Sequence, residues 1–201
     1  MRRQNLISRG GRSTKVLAAA STLTLLAGLL VLALPSTPAL ASTAAAPACT
    51  TGNLDVWLNT MGNGAAGSSY YNLNFTNLSA HSCTLYGYPG VSGVTQAGIQ
   101  LGSSAGRDAE HAPSVITLTS AKTARGFNND TPRSSATVVL QITVAENFPT
   151  SMCAPVTAAG LRVYPPGQKE STVVPFPYVA CGNAGPRYLH VESVQKYVTG
   201  Q

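Results

Sequence analysis

The sequence predicts an all-β protein, an antiparallel sandwich of about nine short strands closed by two disulfides and preceded by a signal peptide. Three observations carry that expectation. Short stretches alternate apolar and polar residues, most clearly Ala136, Val138, Leu140, Ile142 and Val144 against Thr137, Val139, Gln141 and Thr143, the period-two pattern of a strand. Turn-forming residues recur between those stretches while charged residues make up only 10% of the chain, a balance typical of extracellular β domains. All four cysteines lie beyond an N-terminal export signal, which points to an oxidising compartment.

In chain order, Arg2, Arg3, Arg9, Arg12 and Lys15 form a positive n-region, residues 16–34 an apolar core, and Pro35 a helix break. Ala39-Leu40-Ala41 then fits the small-x-small rule, with cleavage between Ala41 and Ser42. Pro35 and that tripeptide favour removal over a retained membrane anchor. The expected organisation is a signal peptide over 1–41, a flexible linker over 42–48 (S-T-A-A-A-P-A) and a single secreted domain over 49–201. Arg2-Arg3 raises twin-arginine export, although Asn5 stands where that motif has a bulky apolar residue. Ala46-Pro47-Ala48-Cys49 lacks the leucine of a lipidation site, so no membrane attachment is expected after cleavage.

The five signal cations leave on processing and no acid does. Eight cations then face seven acids, a formal charge of +1 rather than the +6 of the whole chain. Those eight are scattered, whereas a nucleic-acid partner requires a basic stripe; nucleic acid is excluded on that ground.

Four exported cysteines allow two disulfides in three connectivities. Pairing neighbours in sequence favours Cys49–Cys83 and Cys153–Cys181. The spacings match no zinc site, and neither a metal nor a cofactor is expected.

The strands follow. Over 53–59, Leu54, Val56 and Leu58 share one face and Asp55, Trp57 and Asn59 the other, with Trp57 expected to be structural. Residues 61–69 (M-G-N-G-A-A-G-S-S) read as a flexible connection, lacking the lysine of a phosphate loop. Over 69–77, Tyr71, Leu73 and Phe75 oppose Tyr70, Asn72, Asn74 and Thr76, a half-buried antiparallel strand. Strands are expected at 83–88, 91–94 and 98–101, with Tyr88-Pro89-Gly90-Val91 as a type II turn, glycine taking the positive φ. Residues 102–113 form the most polar loop. Two short strands follow at 114–119 and 122–127, then a turn-rich loop over 128–135. Residues 136–144 are the central core strand. An irregular segment over 145–160 carries Cys153 and a helical turn near 155–159. Strands at 161–164, 173–179 and 188–194 complete the chain; Pro175 and Pro177 put the second of them at an edge, since proline cannot donate to a ladder. Strands this short and regularly spaced, with no amphipathic helix, are the pattern of an immunoglobulin-like sandwich.

Several stretches resemble a known family. Gly64-Ala65-Ala66-Gly67 precedes a tyrosine-rich strand, followed by Asn77 and by Cys83-Thr84-Leu85-Tyr86-Gly87-Tyr88-Pro89-Gly90-Val91. Later come Cys153, Leu161-Arg162-Val163-Tyr164-Pro165-Pro166 and Cys181. Over about residues 49–191 the chain resembles the exported actinobacterial proteins catalogued as domain of unknown function 4232. The resemblance implies a secreted or envelope-attached β-sandwich. It implies no activity, because the family has none assigned, and no functional residue carries over.

Function is therefore weighed on the residues alone. His81, His111 and His190 fall in three separate segments, and neither a nucleophile elbow nor an H-E-x-x-H motif is present. No catalytic residue is expected, and a hydrolase or metal-dependent enzyme is the weaker reading. The leading expectation is a non-catalytic binding module, monomeric, that meets an extracellular protein or a cell-wall glycan. Its surface would comprise Tyr70, Tyr86, Tyr88, Arg107, Asp108, Glu110 and His111, since tyrosine combines apolar area with a polar tip and rigid scaffolds present contacts on loops. The alternative is a secreted protease inhibitor with residues 147–154 as its loop.

Overall fold

The computed structural model describes residues 45–122 and 131–197. The expected signal segment with its expected Ala41/Ser42 cleavage site, the start of the expected linker, the expected strand at 122–127 beyond Lys122, and the end of the tail lie outside the described residues.

Twelve strands occur among the described residues. In order they are β1 (Leu54–Ala65), β2 (Ser68–Asn77), β3 (Cys83–Tyr86), β4 (Gly90–Val94), β5 (Gln100–Leu101), β6 (Gly106–Arg107) and β7 (Val115–Leu118). A helical turn α1 (Thr131–Ser134) leads into β8 (Ser135–Thr143), and α2 (Thr150–Cys153) into β9 (Pro155–Tyr164). β10 (Thr172–Cys181), β11 (Leu189–Val191) and β12 (Gln195–Lys196) follow. β5, β6 and β12 have two residues each; β5 lies within the expected strand at 98–101, whereas β6 falls in the stretch that reads as the polar loop.

The larger sheet runs β1-β2-β8-β11-β6, with β12 also on β8; the smaller runs β10-β9-β4-β5, and β3 pairs with β7 separately. Pairing is antiparallel except that β6 runs parallel to β11. As the alternation requires, β8 is central, and Ala136, Val138 and Leu140 are fully buried. They pack with Leu73 and Phe75 from β2 and with Leu161 and Val163 from β9 in one core. Val144 departs from the expectation. It is 40% exposed, because the strand ends at Thr143 and a 3-10 turn over Ala145–Asn147 carries the chain away.

Tyr71, Phe176, Tyr178 and Tyr188 form an aromatic chain within this core, with successive centroids 5.0, 5.7 and 6.4 Å apart. The Tyr188 hydroxyl donates to the Leu101 carbonyl at 3.3 Å and lies 3.4 Å from the Tyr178 hydroxyl. Burial raises the pKa of both phenols. A Cβ on Gly93 would stand 2.6 and 2.7 Å from the two hydroxyl oxygens, so no larger residue fits beneath them. Asn77 is fully buried at the end of β2. Its Nδ2 donates to the carbonyls of His81, Leu118 and Thr119, and its Oδ1 accepts from Ser79, binding the β2–β3 connection to β7.

The disulfides are Cys49–Cys83 and Cys153–Cys181, the pairs that neighbour each other in sequence. β10 carries Pro175 and Pro177 and pairs only with β9, its register shifting between Pro175 and Tyr178. That is the edge position expected of it.

Three local expectations are corrected. Residues 61–69 are a hairpin, not a flexible connection. β1 continues to Ala65 with a bulge between Asn59 and Asn63, and the turn at Ala66 and Gly67 has φ of 48° and 78°; two positive angles suit the twist of a two-residue hairpin. Gly62 serves packing, since a Cβ there would lie 2.5 Å from the Tyr71 ring. The glycine with positive φ near Pro89 is Gly87, at 93°, whereas Gly90 opens β4. The chain therefore bends before the proline, where Val194 N–H donates to the Gly87 carbonyl. The helical turn lies at Thr150–Cys153 and not at 155–159, where small residues instead pair with β10 from Pro155 onward.

Candidate functional site

Residues opposed in a ladder point to the same side. The larger sheet's outward rows are therefore Tyr70–Gln141–His190, Asn72–Val139, and Asn74–Thr137–Gln195. The last row is not wet. Asn74 and Thr137 are buried, and Thr137 Oγ1 donates to Asn74 Oδ1 at 2.8 Å. Trp57 joins the same face opposite Asn74, its indole N–H donating to Thr76 Oγ1 at 3.2 Å, a structural tie as the sequence suggests.

A groove of about 470 Å³ lies on this outward face. Its floor includes Val139 and Ile116, while Asn72, Glu192, Gln195 and Lys196 contribute polar groups from three strand regions and His111 and Ser114 stand on the loop side. The Asn72 carboxamide hydrogen-bonds to none of the described residues, and neither does Gln195 Oε1. The Gln195 Nε2 donates to Ser193 Oγ at 2.9 Å and to the Ser193 carbonyl at 3.5 Å.

His111 Nδ1 lies 3.3 Å from Glu192 Oε2, and Ser193 Oγ donates to the His111 carbonyl at 3.1 Å. Burial raises the Glu192 pKa above the usual carboxylate value; the Glu110 charge adds to this, and His111 opposes it. One row along, His190 Nδ1 lies 3.0 Å from Asp108 Oδ1 and its Nε2 3.1 Å from the Arg187 carbonyl. The Arg107 guanidinium sits 5.5 Å from the centroid of the Tyr88 ring, a cation–π distance.

Of the seven residues expected to form a surface, His111 lines the groove, and Tyr88, Arg107, Asp108 and Glu110 make separate contacts. Tyr88 and Arg107 stack, Asp108 pairs with His190, and Glu110 and His111 both act on Glu192. Tyr70 shares the outward face one row from Asn72, without lining the groove. Tyr86 stands apart on β3, 61% exposed opposite Val115. Sequence reasoning missed Asn72, Thr137, Val139, Glu192, Gln195 and Lys196 as a group. The only local signal was the outward alternation of His190 and Glu192.

A metal or acid–base centre at Asp108, Glu110 and His111 would have joined the three in one pocket. Instead His111 turns to Glu192 and Asp108 to His190. Among the described residues no cluster of three or more metal-ligating side chains occurs. Residues 147–154 form no extended loop: Asn147 ends the 3-10 turn, Thr150–Cys153 form α2, and Asn147 Nδ2 donates to the Gly67 carbonyl at 2.9 Å.

A family model described as Domain of unknown function (DUF4232) matches residues 49–195. No curated protein matches the chain.

Proposed function

The chain belongs to that family of unknown function, and from its surface chemistry we propose that it is a secreted, non-catalytic module that binds a cell-envelope glycan through the groove on the larger sheet. The observation that carries this reading is the pairing of free hydrogen-bonding groups with an apolar floor. The Asn72 carboxamide and Gln195 Oε1 border the groove above Val139 and Ile116. Carboxamides bond neighbouring sugar hydroxyls, and the C–H face of a pyranose packs on apolar side chains, as small sites with a few placed polar groups do. Lys196 and Glu192 add one donor and one acceptor of opposite charge, which suits a ligand that is polar and nearly neutral.

The disulfides support export, since such bonds persist outside the reducing cytosol. The protein acts as a monomer in this reading.

The test mixes the purified exported form, residues 42–201, with isolated cell wall and, separately, with culture supernatant. Saturable sedimentation with the wall, competed by soluble wall saccharides, is the expected result. Capture of a soluble protease with no wall binding would overturn it in favour of an inhibitor.

A further inference from the structure

The sharpest chemical demand outside the groove is made by His190. Its two ring nitrogens both face acceptors, the Asp108 carboxylate at 3.0 Å and the Arg187 carbonyl at 3.1 Å. A neutral imidazole has one N–H, and only the imidazolium has two. Losing the proton therefore leaves a lone pair against one of the acceptors and breaks that contact. Three chain segments meet at this ring: the loop through Asp108, the turn before β11 through Arg187, and β11 itself.

The packing is built around the ring. A Cβ on Gly106, the parallel partner of His190, would lie 3.1 Å from Nδ1 and 3.2 Å from Cε1. The same loop is tied down next door, where Asp108 N–H donates to the Val191 carbonyl at 2.9 Å. Beyond that it reaches the groove, where His111 meets Glu192. His111 has a single ring contact, which its neutral Nδ1–H form can keep. The two histidines are thus not equivalent.

We propose that His190 is a protonation-dependent clasp that draws the 102–113 loop tightest against β11 when charged, both nitrogens then donating and the Asp108 contact becoming an ion pair, and loosens it when neutral, so that mild acidity shapes the groove for its ligand. The effect on the ligand rests on the groove being the binding site; the clasp itself does not. Other charged or titratable groups around the ring are few. Arg107 follows Gly106 but turns to Tyr88. Arg187 presents its carbonyl to the ring, and its side chain is a cation on the same side, its Cδ 3.7 Å from a Cβ placed on Gly106. Tyr70 lies across Gln141 in the same row, and Glu192 with His111, Glu110 and Lys196 lies one row away. Asp108 alone bonds the ring as a charged partner.

The test follows the imidazole nitrogens by NMR and the exchange of the Asp108 amide, between about pH 5.5 and about pH 8, where histidine ordinarily changes charge. Both ring nitrogens of His190 should carry protons at the acid end. Protection of the Asp108 amide, corrected for intrinsic exchange, should fall about tenfold at the alkaline end, as for one lost hydrogen bond. His190→Gln should abolish this dependence, and His111→Gln should retain it. Gly106→Ala, which crowds the ring, should weaken the protection at acid pH. Protection that is constant with pH, or a dependence that survives His190→Gln, would overturn the clasp. Wall sedimentation at both pH values is read in parallel. A pH-responsive loop with equal wall binding at both would overturn the regulation alone, and a responsive loop with no wall binding would remove the glycan reading while leaving the clasp in place.

Discussion

Each of the two main sheets carries a groove on its outward face, about 470 Å³ on the larger and about 500 Å³ on the smaller. Volume does not separate them; their linings do. The smaller sheet's groove is bordered by Thr157, Ala159, Val173, Pro175 and Pro177, with Thr95 and Gln96 at one side, and no titratable group lines it. Its walls come mainly from one hairpin, β9 and β10, and its prolines do the work of an edge strand, withholding donors from further pairing. The larger sheet's groove draws on β2, β7, β8, β12, the segment after β11 and the polar loop. The Asn72 carboxamide, the Gln195 Oε1 and a histidine–carboxylate pair meet there over an apolar floor. The comparison teaches that one surface is shaped by the need to end a sheet, the other by a convergence that the sheet alone does not require.

The contrast can be broken or sharpened by measurement. The largest effect is expected from replacing Cys153 and Cys181 with alanine. That bridge spans 28 residues at the end of the smaller sheet, and its removal should cost about 2–5 kcal/mol in denaturant unfolding. Wall binding by the protein that remains folded should persist; its loss would tie the ligand to the smaller sheet after all. A middle-sized effect is expected at the groove itself. Asn72→Ala and Gln195→Ala should each weaken wall binding about tenfold, the worth of one lost hydrogen bond. Val173→Ser on the smaller sheet and Tyr86→Ser on β3 should leave it within about twofold by the same measure, and the reverse ranking would move the site.

The smallest effect concerns Glu192. A carboxyl whose folded pKa is raised binds its proton more tightly in the folded state, so its ionisation costs stability above that pKa and nothing when both states are protonated. Burial is the first cause here, with the Glu110 charge second. Glu192→Gln should therefore raise the melting temperature by about 1 °C near pH 7 and leave it unchanged near pH 3, well below the usual carboxylate value. A fall at neutral pH would mean that the His111 contact outweighs desolvation.

Particular residues show what could be read in advance. Leu73 and Phe75, and Val138 and Leu140, announce buried faces through strict alternation, and all four are fully buried. Pro175 and Pro177 announce an edge, and the disulfides join the cysteines that neighbour each other in sequence. Glycine was read less well. Gly62 and Gly64 looked like a loop, yet they belong to a strand in which Gly62 leaves room for the Tyr71 ring. Composition cannot separate a glycine needed for mobility from one needed for closeness.

The seven residues expected to form a surface show the same limit. Arg107, Asp108, Glu110 and His111 were noticed as a polar loop, but their partners Tyr88, His190 and Glu192 lie far along the chain. Alternation, turn chemistry and the export pattern are properties of neighbouring residues, so the sequence by itself determined the β class, most strand positions and the disulfide-bearing character of the domain. Which strands lie side by side is a matter of long-range pairing. Only the tertiary structure decided it, setting β2, β8 and β11 in one sheet and folding the polar loop back along β11. The groove and the His190 contacts exist because that order brings distant side chains within bonding distance, and no local period encodes it.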